Sequence, residues 1–355
     1  MQVEYNEATD NAQHGRSGVR ATGDPDTMNP PMTLFRTRFG DAVCGDSLAV
    51  LESLDDESID LVVTSPPFAL LRKKTYGNAD QAEYVDWLCR FAPLVHRILK
   101  STGSYVIDLG GAYQRGKPVR SLHQYRALIR HVDDHGFHLA EEFFWHNPSK
   151  LPSPIEWVNK RKIRVKDTVN TIWWLGKTEW PKANASNVLA PYSERMKVLL
   201  RDPERFYRPK GRPSGHDIGS GFAKDNGGAL PPNLLQWPNS ESNGRYLQLC
   251  KRFGVEAHPA RFPVALPEFF IKFLTDEGDV VVDIFGGSGT TGEAAERLGR
   301  RWRTIEIEPC FTRASVFRFV GDRTEEEIEL LLREIDRGGS PEVLPRQIGL
   351  FDAVG

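Results

Sequence analysis

The residues of this chain that could do chemistry fall into two clusters more than two hundred positions apart. The first is Thr64-Ser65-Pro66-Pro67-Phe68. It closes the run Ile59-Asp60-Leu61-Val62-Val63, whose β-branched and apolar character predicts a buried strand. Consecutive prolines fix φ and remove two backbone N–H groups, so the turn is stiff and its carbonyls face outward unpaired. Ser65 adds a hydroxyl oxygen and Pro66 a carbonyl oxygen. Two acceptors on a rigid turn suit a donor such as the exocyclic amine of a nucleobase. Phe68 offers a flat face on which an extruded base can stack. Taken alone, the stretch reads equally well as a Pro-Pro loop with an incidental Phe.

The second cluster is Asp283-Ile284-Phe285-Gly286-Gly287-Ser288-Gly289. It turns from a predicted strand over 279–284 into a predicted helix over 290–298. Gly287, Gly289 and Gly292 satisfy the pattern G-x-G-x-x-G, but glycine-rich βα turns serve many cofactors, so the match is weak by itself. Seventeen residues after Gly289 stands Glu306, at the end of the next predicted strand. An acid there accepts hydrogen bonds from ribose hydroxyls. The loop and the acid imply a nucleoside cofactor and leave NAD and S-adenosylmethionine both open. An NAD-dependent oxidoreductase accounts for this cluster but not for the Ser-Pro-Pro-Phe turn. The turn favours S-adenosylmethionine and transfer of a methyl group to an amine.

Both clusters need strand ends to hold them. Helical spacing of Tyr84, Leu88, Phe91, Leu94, Val95 and Ile98 predicts one helix over 81–100, ended by Gly103. A buried strand follows at 104–109, a helix at 122–135 and a strand at about 139–145. After a long irregular stretch come a helix at 266–274, the strand, glycine turn and helix just described, and a strand at 303–306. The alternation argues an α/β fold with a doubly wound, mostly parallel sheet. Residues 1–32 are polar and aperiodic and read as a disordered arm. Residues 33–146 and 246–322 read as two halves of one domain, and 147–245 as a loop-rich region rich in Pro, Gly, Asn, Ser, Arg and Lys. The acidic helix at 325–336 and the rest of 323–355 read as peripheral.

Charge is distributed unevenly. The 355-residue chain has 46 Lys and Arg against 48 Asp and Glu. Between Lys150 and Arg212 there are fifteen basic residues and six acidic ones, a net of plus nine in an otherwise acidic protein. Such a segment is the footprint of a polyanion, with a solvated basic surface as the plainer alternative. Four cysteines without CxxC spacing indicate neither a zinc site nor a disulfide framework, and no metal is expected. The chain has no secretory signal and no apolar run of 18 residues, so a soluble cytoplasmic protein with no membrane partner is expected.

The two motifs together resemble the family of amino-methyltransferases that modify N4 of cytosine or N6 of adenine in DNA. The catalytic motif comes first and the cofactor motif late, an order that resembles the family's beta group. The stretches 64–78, 147–154 and 212–217 are similar to one member in particular, and the resemblance covers about residues 36–320. It implies a permuted class I S-adenosylmethionine-dependent fold with 147–245 as the DNA target-recognition region. It implies catalytic roles for Ser65, Pro66, Pro67 and Phe68, with Asp108 beside them. Asp46 would bind the cofactor's adenine, Asp283, Phe285, Gly287 and Gly289 its methionine and ribose, and Glu306 the ribose hydroxyls. Phe262 and Pro263, in His258-Pro259-Ala260-Arg261-Phe262-Pro263, would close over the methionine end. The loop departs from its nearest pattern by having Gly289 where Asn is expected, a position at which Gly is common in the family.

The implied partner is double-stranded DNA with a flipped target base. Arg72, Lys73 and Lys74, just past the turn, are expected on phosphates, as are Lys160, Arg161, Lys162 and Arg164. Asn159, Arg212, Ser214, His216 and Asp217 are expected nearer base edges. Serine before Pro-Pro favours cytosine N4 over adenine N6 by family pattern. The implied target is the palindrome CAGCTG with its inner cytosine methylated, and a cognate restriction endonuclease would act on the same site without direct contact. Pro309-Cys310 resembles the nucleophile of C5-cytosine enzymes, but it lies on the cofactor side, so Cys310 is expected to be a buried, unreactive thiol. A non-catalytic DNA-binding module does not need an intact catalytic motif.

Overall fold

A computed structural model describes residues 30–68, 83–114, 116–203, 224–239, 244–321 and 323–344. The strands, in chain order, are β1 (Met32–Thr37), β2 (Gly40–Cys44), β3 (Ile59–Thr64), β4 (Leu99–Gly110), β5 (His138–His146), β6 (Val169–Gly176), β7 (Leu234–Gln236), β8 (Val280–Asp283), β9 (Arg301–Glu306) and β10 (Glu342–Val343). They form one sheet in the order β10-β1-β2-β9-β8-β3-β4-β6-β5-β7. The five central strands, β2, β9, β8, β3 and β4, are parallel. Strand β6 runs against β4 and β5, while β7 is parallel to β5. The mostly parallel α/β sheet expected from the alternation of elements is present.

The helices are α1 (Ser47–Glu52), α2 (Tyr84–Cys89), α3 (Ala92–Ile98), α4 (His123–Asp133), α5 (Glu194–Arg201), α6 (Arg245–Arg252), α7 (Ala265–Leu274), α8 (Thr290–Arg297), α9 (Pro309–Ser315) and α10 (Glu325–Asp336). The period of two in β4 delivers neighbours to opposite faces of the sheet. Val106 joins a core with α6, α7, α8 and α10, whereas Tyr105, Ile107 and Leu109 join a core with α1, α2, α3 and α4. From β3 the chain crosses through α2 and α3 to β4 on one side. From β8 it crosses through α8 to β9 on the other side. The carboxyl ends of β3 and β8 therefore flank the point where the winding reverses, which is where open α/β sheets bind ligands.

Four expectations need correction. The helix expected over 81–100 is two helices, broken at Arg90-Phe91, with Pro93 in the first turn of α3 where its missing N–H costs no helical bond. Gly103 does not end a helix but lies inside β4, which begins at Leu99 paired with Ile59. The 147–245 region is not all loop: β6 pairs with β4 from Asn170 to Gly176 and is buried along nearly its whole length. Helix α10 is not peripheral, because Ile328, Leu331, Leu332 and Ile335 enter the core and β10 extends the sheet. Among the described residues, no helix is long and apolar enough to cross a membrane.

Candidate active site

A cavity of about 710 Å³ opens at the carboxyl edge of the sheet, and both clusters line it. Strand β3 ends at Thr64 and hands the chain to Ser65, Pro66, Pro67 and Phe68, all on the wall. Strand β4 ends beside it and places Asp108 there, 2% exposed. The Ser65 hydroxyl donates to Asp108 Oδ2 at 3.1 Å. From the antiparallel neighbour β6, the Asn170 amide donates to Asp108 Oδ1 at 3.1 Å. Burial pushes the Asp108 carboxyl up to about 6, opposed by the hydrogen bonds from Asn170 and Ser65 and by the charge of Lys150. Because the Ser65 proton points at Asp108, the lone pairs of Ser65 are left to accept. Gly110 finishes β4 without a side chain because the Phe68 ring lies over it. A Cβ there would meet Phe68 Cε2 at 2.6 Å.

The cofactor side is built from β8, β9 and β2. Gly287 has φ +49°, and a Cβ on it would meet the His258 ring at 3.3 Å, so this position is held for glycine. Its N–H donates to Glu306 Oε2 at 2.8 Å, and the Glu308 N–H donates to Oε1 at 3.0 Å. Burial pushes the Glu306 carboxyl up to about 7, against those two backbone donors. Phe285 packs against Trp87 at 5.5 Å and Phe91 at 5.0 Å between ring centroids. Asp46 caps α1 by accepting from Leu48 N–H at 2.9 Å and also lines the cavity. An aromatic slot beside a carboxylate on the cavity wall fits a flat base and a ribose diol. Phe262 lines the cavity with His258 and Arg261.

Three residues expected at the cofactor lie elsewhere. Asp283 is buried under the glycine loop, where Oδ1 accepts from Thr64 Oγ1 at 2.5 Å and Phe285 N–H at 3.0 Å. Its Oδ2 accepts from Thr291 Oγ1 at 2.6 Å. Asp283 thus ties the catalytic strand to the cofactor loop rather than facing the cavity. Gly289 packs against Ser315 off the cavity, and the Pro263 carbonyl accepts from Leu266 N–H at the start of α7. Cys310 is exposed, not buried as expected. Desolvation and the nearby Glu308 and Glu256 raise its thiol pKa, so it stays protonated, and it is not on the cavity wall.

The expected DNA-binding residues divide. Arg72, Lys73, Lys74, Arg212, Ser214, His216 and Asp217 lie outside the described residues. Asn159, Lys160, Arg161, Lys162 and Arg164 are exposed on the connection between β5 and β6, the first two at the end of a helical turn over Glu156–Lys160. Two of the cations share Glu156, with Lys160 at 3.4 Å and Arg161 at 2.9 Å. Arg164 donates to the Pro118 carbonyl at 2.6 Å and so braces the loop. The sequence reading missed Asn170, Trp87, Arg90, Asn147, Lys150 and Asn239, all on the cavity wall. Phe91 had a helical spacing that read as core, and Trp87 was not among the positions read there. Asn147 and Lys150 lie in the stretch 147–154, singled out only for its resemblance, while Asn170 and Asn239 carried no signal.

Comparison with known proteins agrees with this geometry. Residues 59–317 match the family model described as DNA methylase, N6_N4_Mtase. The type II methyltransferase M.PvuII of Proteus hauseri is 62% identical over 293 residues, 82% of this chain and 87% of that one. The type II methyltransferase M.ScaI of Streptomyces caespitosus is 27% identical over 285 residues, 77% of this chain and 79% of that one. The solved structure of the PvuII DNA methyltransferase (cytosine-N4-specific) superposes with a TM-score of 0.72 at 51% identity, covering 88% of this chain and 97% of its own. With its catalytic turn and glycine loop on one cavity and the family match spanning both, the chain belongs to the N6/N4 DNA methylases.

Proposed function

We propose that the protein transfers a methyl group from S-adenosylmethionine to N4 of cytosine in duplex DNA. The observation that carries this reading is the Ser65–Asp108–Asn170 chain, which opens into the same cavity as Gly287 and Glu306. The cytosine-N4-specific relative supports the choice of amine. Asp46, Phe262, Phe285, Gly287 and Glu306 would hold the cofactor, which supplies an activated methyl when bound.

The target amine is a poor nucleophile because its lone pair is delocalised into the ring. Ser65 Oγ and the Pro66 carbonyl accept its two hydrogens and favour a tetrahedral nitrogen. Phe68 stacks on the base. As one N–H proton leaves, Ser65 takes it and passes its own to Asp108, whose pKa of about 6 suits that task. Fixing base and cofactor in one cavity supplies roughly 7–11 kcal/mol of the barrier reduction.

The proposed target is CAGCTG with the inner cytosine methylated, as one component of a restriction–modification pair in a prokaryotic cytoplasm. Contacts from Arg72, Lys73, Lys74, Asn159, Arg212, Ser214, His216 and Asp217 belong to this reading. Plasmid from cells expressing the protein should resist cleavage at CAGCTG alone, and nucleoside mass spectrometry should find N4-methylcytosine. Methyl groups on adenine N6, or cleavage at CAGCTG as before, would overturn it.

A further inference from the structure

Large aliphatic side chains on a surface are usually scattered singly and need no explanation. The loop between β5 and β6 breaks that pattern. Leu151 is 81% exposed, Ile155 61% and Val165 87%, and they stand among the exposed Lys160, Lys162 and Lys166. The loop is tied to itself. Asn147 N–H donates to the Thr168 carbonyl at 2.8 Å, and Asp167 N–H to the Ser153 carbonyl at 3.2 Å. The Lys166 ammonium donates to the Pro148 carbonyl at 3.3 Å, and Asp167 pairs with Arg120 at 2.6 Å.

Leu151 follows Lys150, which lines the cavity, and precedes Pro152. A residue before proline is biased to extended conformations, so the backbone of Leu151 has less freedom to lose on binding. Exposed apolar side chains interspersed along one segment with exposed cations match a duplex, which offers phosphates outside and apolar stacked bases inside. Extruding a base empties one place in that stack, and side chains such as Leu, Ile, Met, Phe and Pro fill such gaps in opened or kinked duplexes.

We infer that Leu151 inserts into the duplex beside the target and occupies the place of the extruded base, while the surrounding lysines hold the flanking phosphates. This rests on the base-extruding methyl transfer proposed above. The test compares two CAGCTG duplexes, one fully paired and one with an abasic site opposite the target cytosine. For Leu151→Ala, kcat/KM on the paired duplex should fall about tenfold or more, and on the abasic duplex should stay within about twofold of the unsubstituted protein, because the pair is already broken. Leu151→Phe should retain activity on both. A fluorescent cytosine analogue at the target position should brighten less with Leu151→Ala than with the unsubstituted protein. Equal losses on the two duplexes, or no loss on either, overturn the wedge while leaving the methyl-transfer reading intact. If the unsubstituted protein methylates neither duplex, both fall together.

Discussion

The two ends of the cavity each hold a carboxylate that burial raises, Asp108 to about 6 and Glu306 to about 7, yet they are satisfied in different ways. Asp108 is held by side chains, Ser65 and Asn170. Glu306 is held by backbone N–H groups of Gly287 and Glu308. A side-chain donor can rotate or exchange its proton, whereas a backbone donor is fixed by the sheet and the turn. Similar desolvation is thus met in two ways, which suit the roles proposed above, a proton carrier at one end and a stationary acceptor at the other. Asp283 joins them, bonding Thr64 on the catalytic strand and Thr291 behind the glycine loop.

The largest expected break is Ser65→Ala. Removing the exchangeable link between substrate and Asp108 should lower the methylation rate about 10²–10⁴-fold, the range for a positioned proton-transfer group. The Kd for S-adenosylmethionine by calorimetry should be unchanged, and full activity would sink the assignment. Next comes Glu306→Gln at the stationary end. Losing hydrogen bonds to a charged acceptor should weaken cofactor binding about tenfold to a hundredfold, with kcat at saturating cofactor nearly kept. In the unsubstituted protein, cofactor affinity should rise as pH rises through about 7, because only the ionised carboxylate accepts from both ribose hydroxyls.

The finest contrast is Asn170→Ala. In the proposed mechanism activity needs ionised Asp108, so the rate should fall as pH drops through about 6. Removing a donor to the carboxylate raises its pKa, so in Asn170→Ala this acid limb should move to higher pH. An unmoved limb would mean that Asp108 is not the titrating group. Stability runs the opposite way. The folded-state pKa of about 6 lies above the ordinary 3.8, so the folded protein binds the proton more tightly than the unfolded chain. Asp108 thus opposes folding increasingly as pH rises from about 4 to about 6. Asp108→Asn should lose the corresponding pH slope in a thermal melt.

What was legible in the sequence followed from local rules. The unbroken apolar run Leu61-Val62-Val63 and the prolines after it mark β3 as a buried strand with a stiff exit. The glycine turn and Glu306 were legible for the same reason. Strand β6 was hidden although Thr171-Ile172-Trp173-Trp174-Leu175 has strand character, because the cationic run before it drew the whole segment into a surface region. Helix α10 was legible as a helix over 325–336, but its acidic first turn masked the apolar stripe of Ile328, Leu331, Leu332 and Ile335 that enters the core.

By itself, then, the sequence determined the two motifs, their order and the basic segment between them, since propensity, proline and glycine act within a few residues. Only the tertiary structure decided that Asn170 reaches Asp108, that Gly110 lies under Phe68, and that Asp283 braces the site rather than lining it. Each of those relations joins residues brought together by strand pairing and crossover connections, and neither residue type nor local spacing encodes which strand will lie beside which.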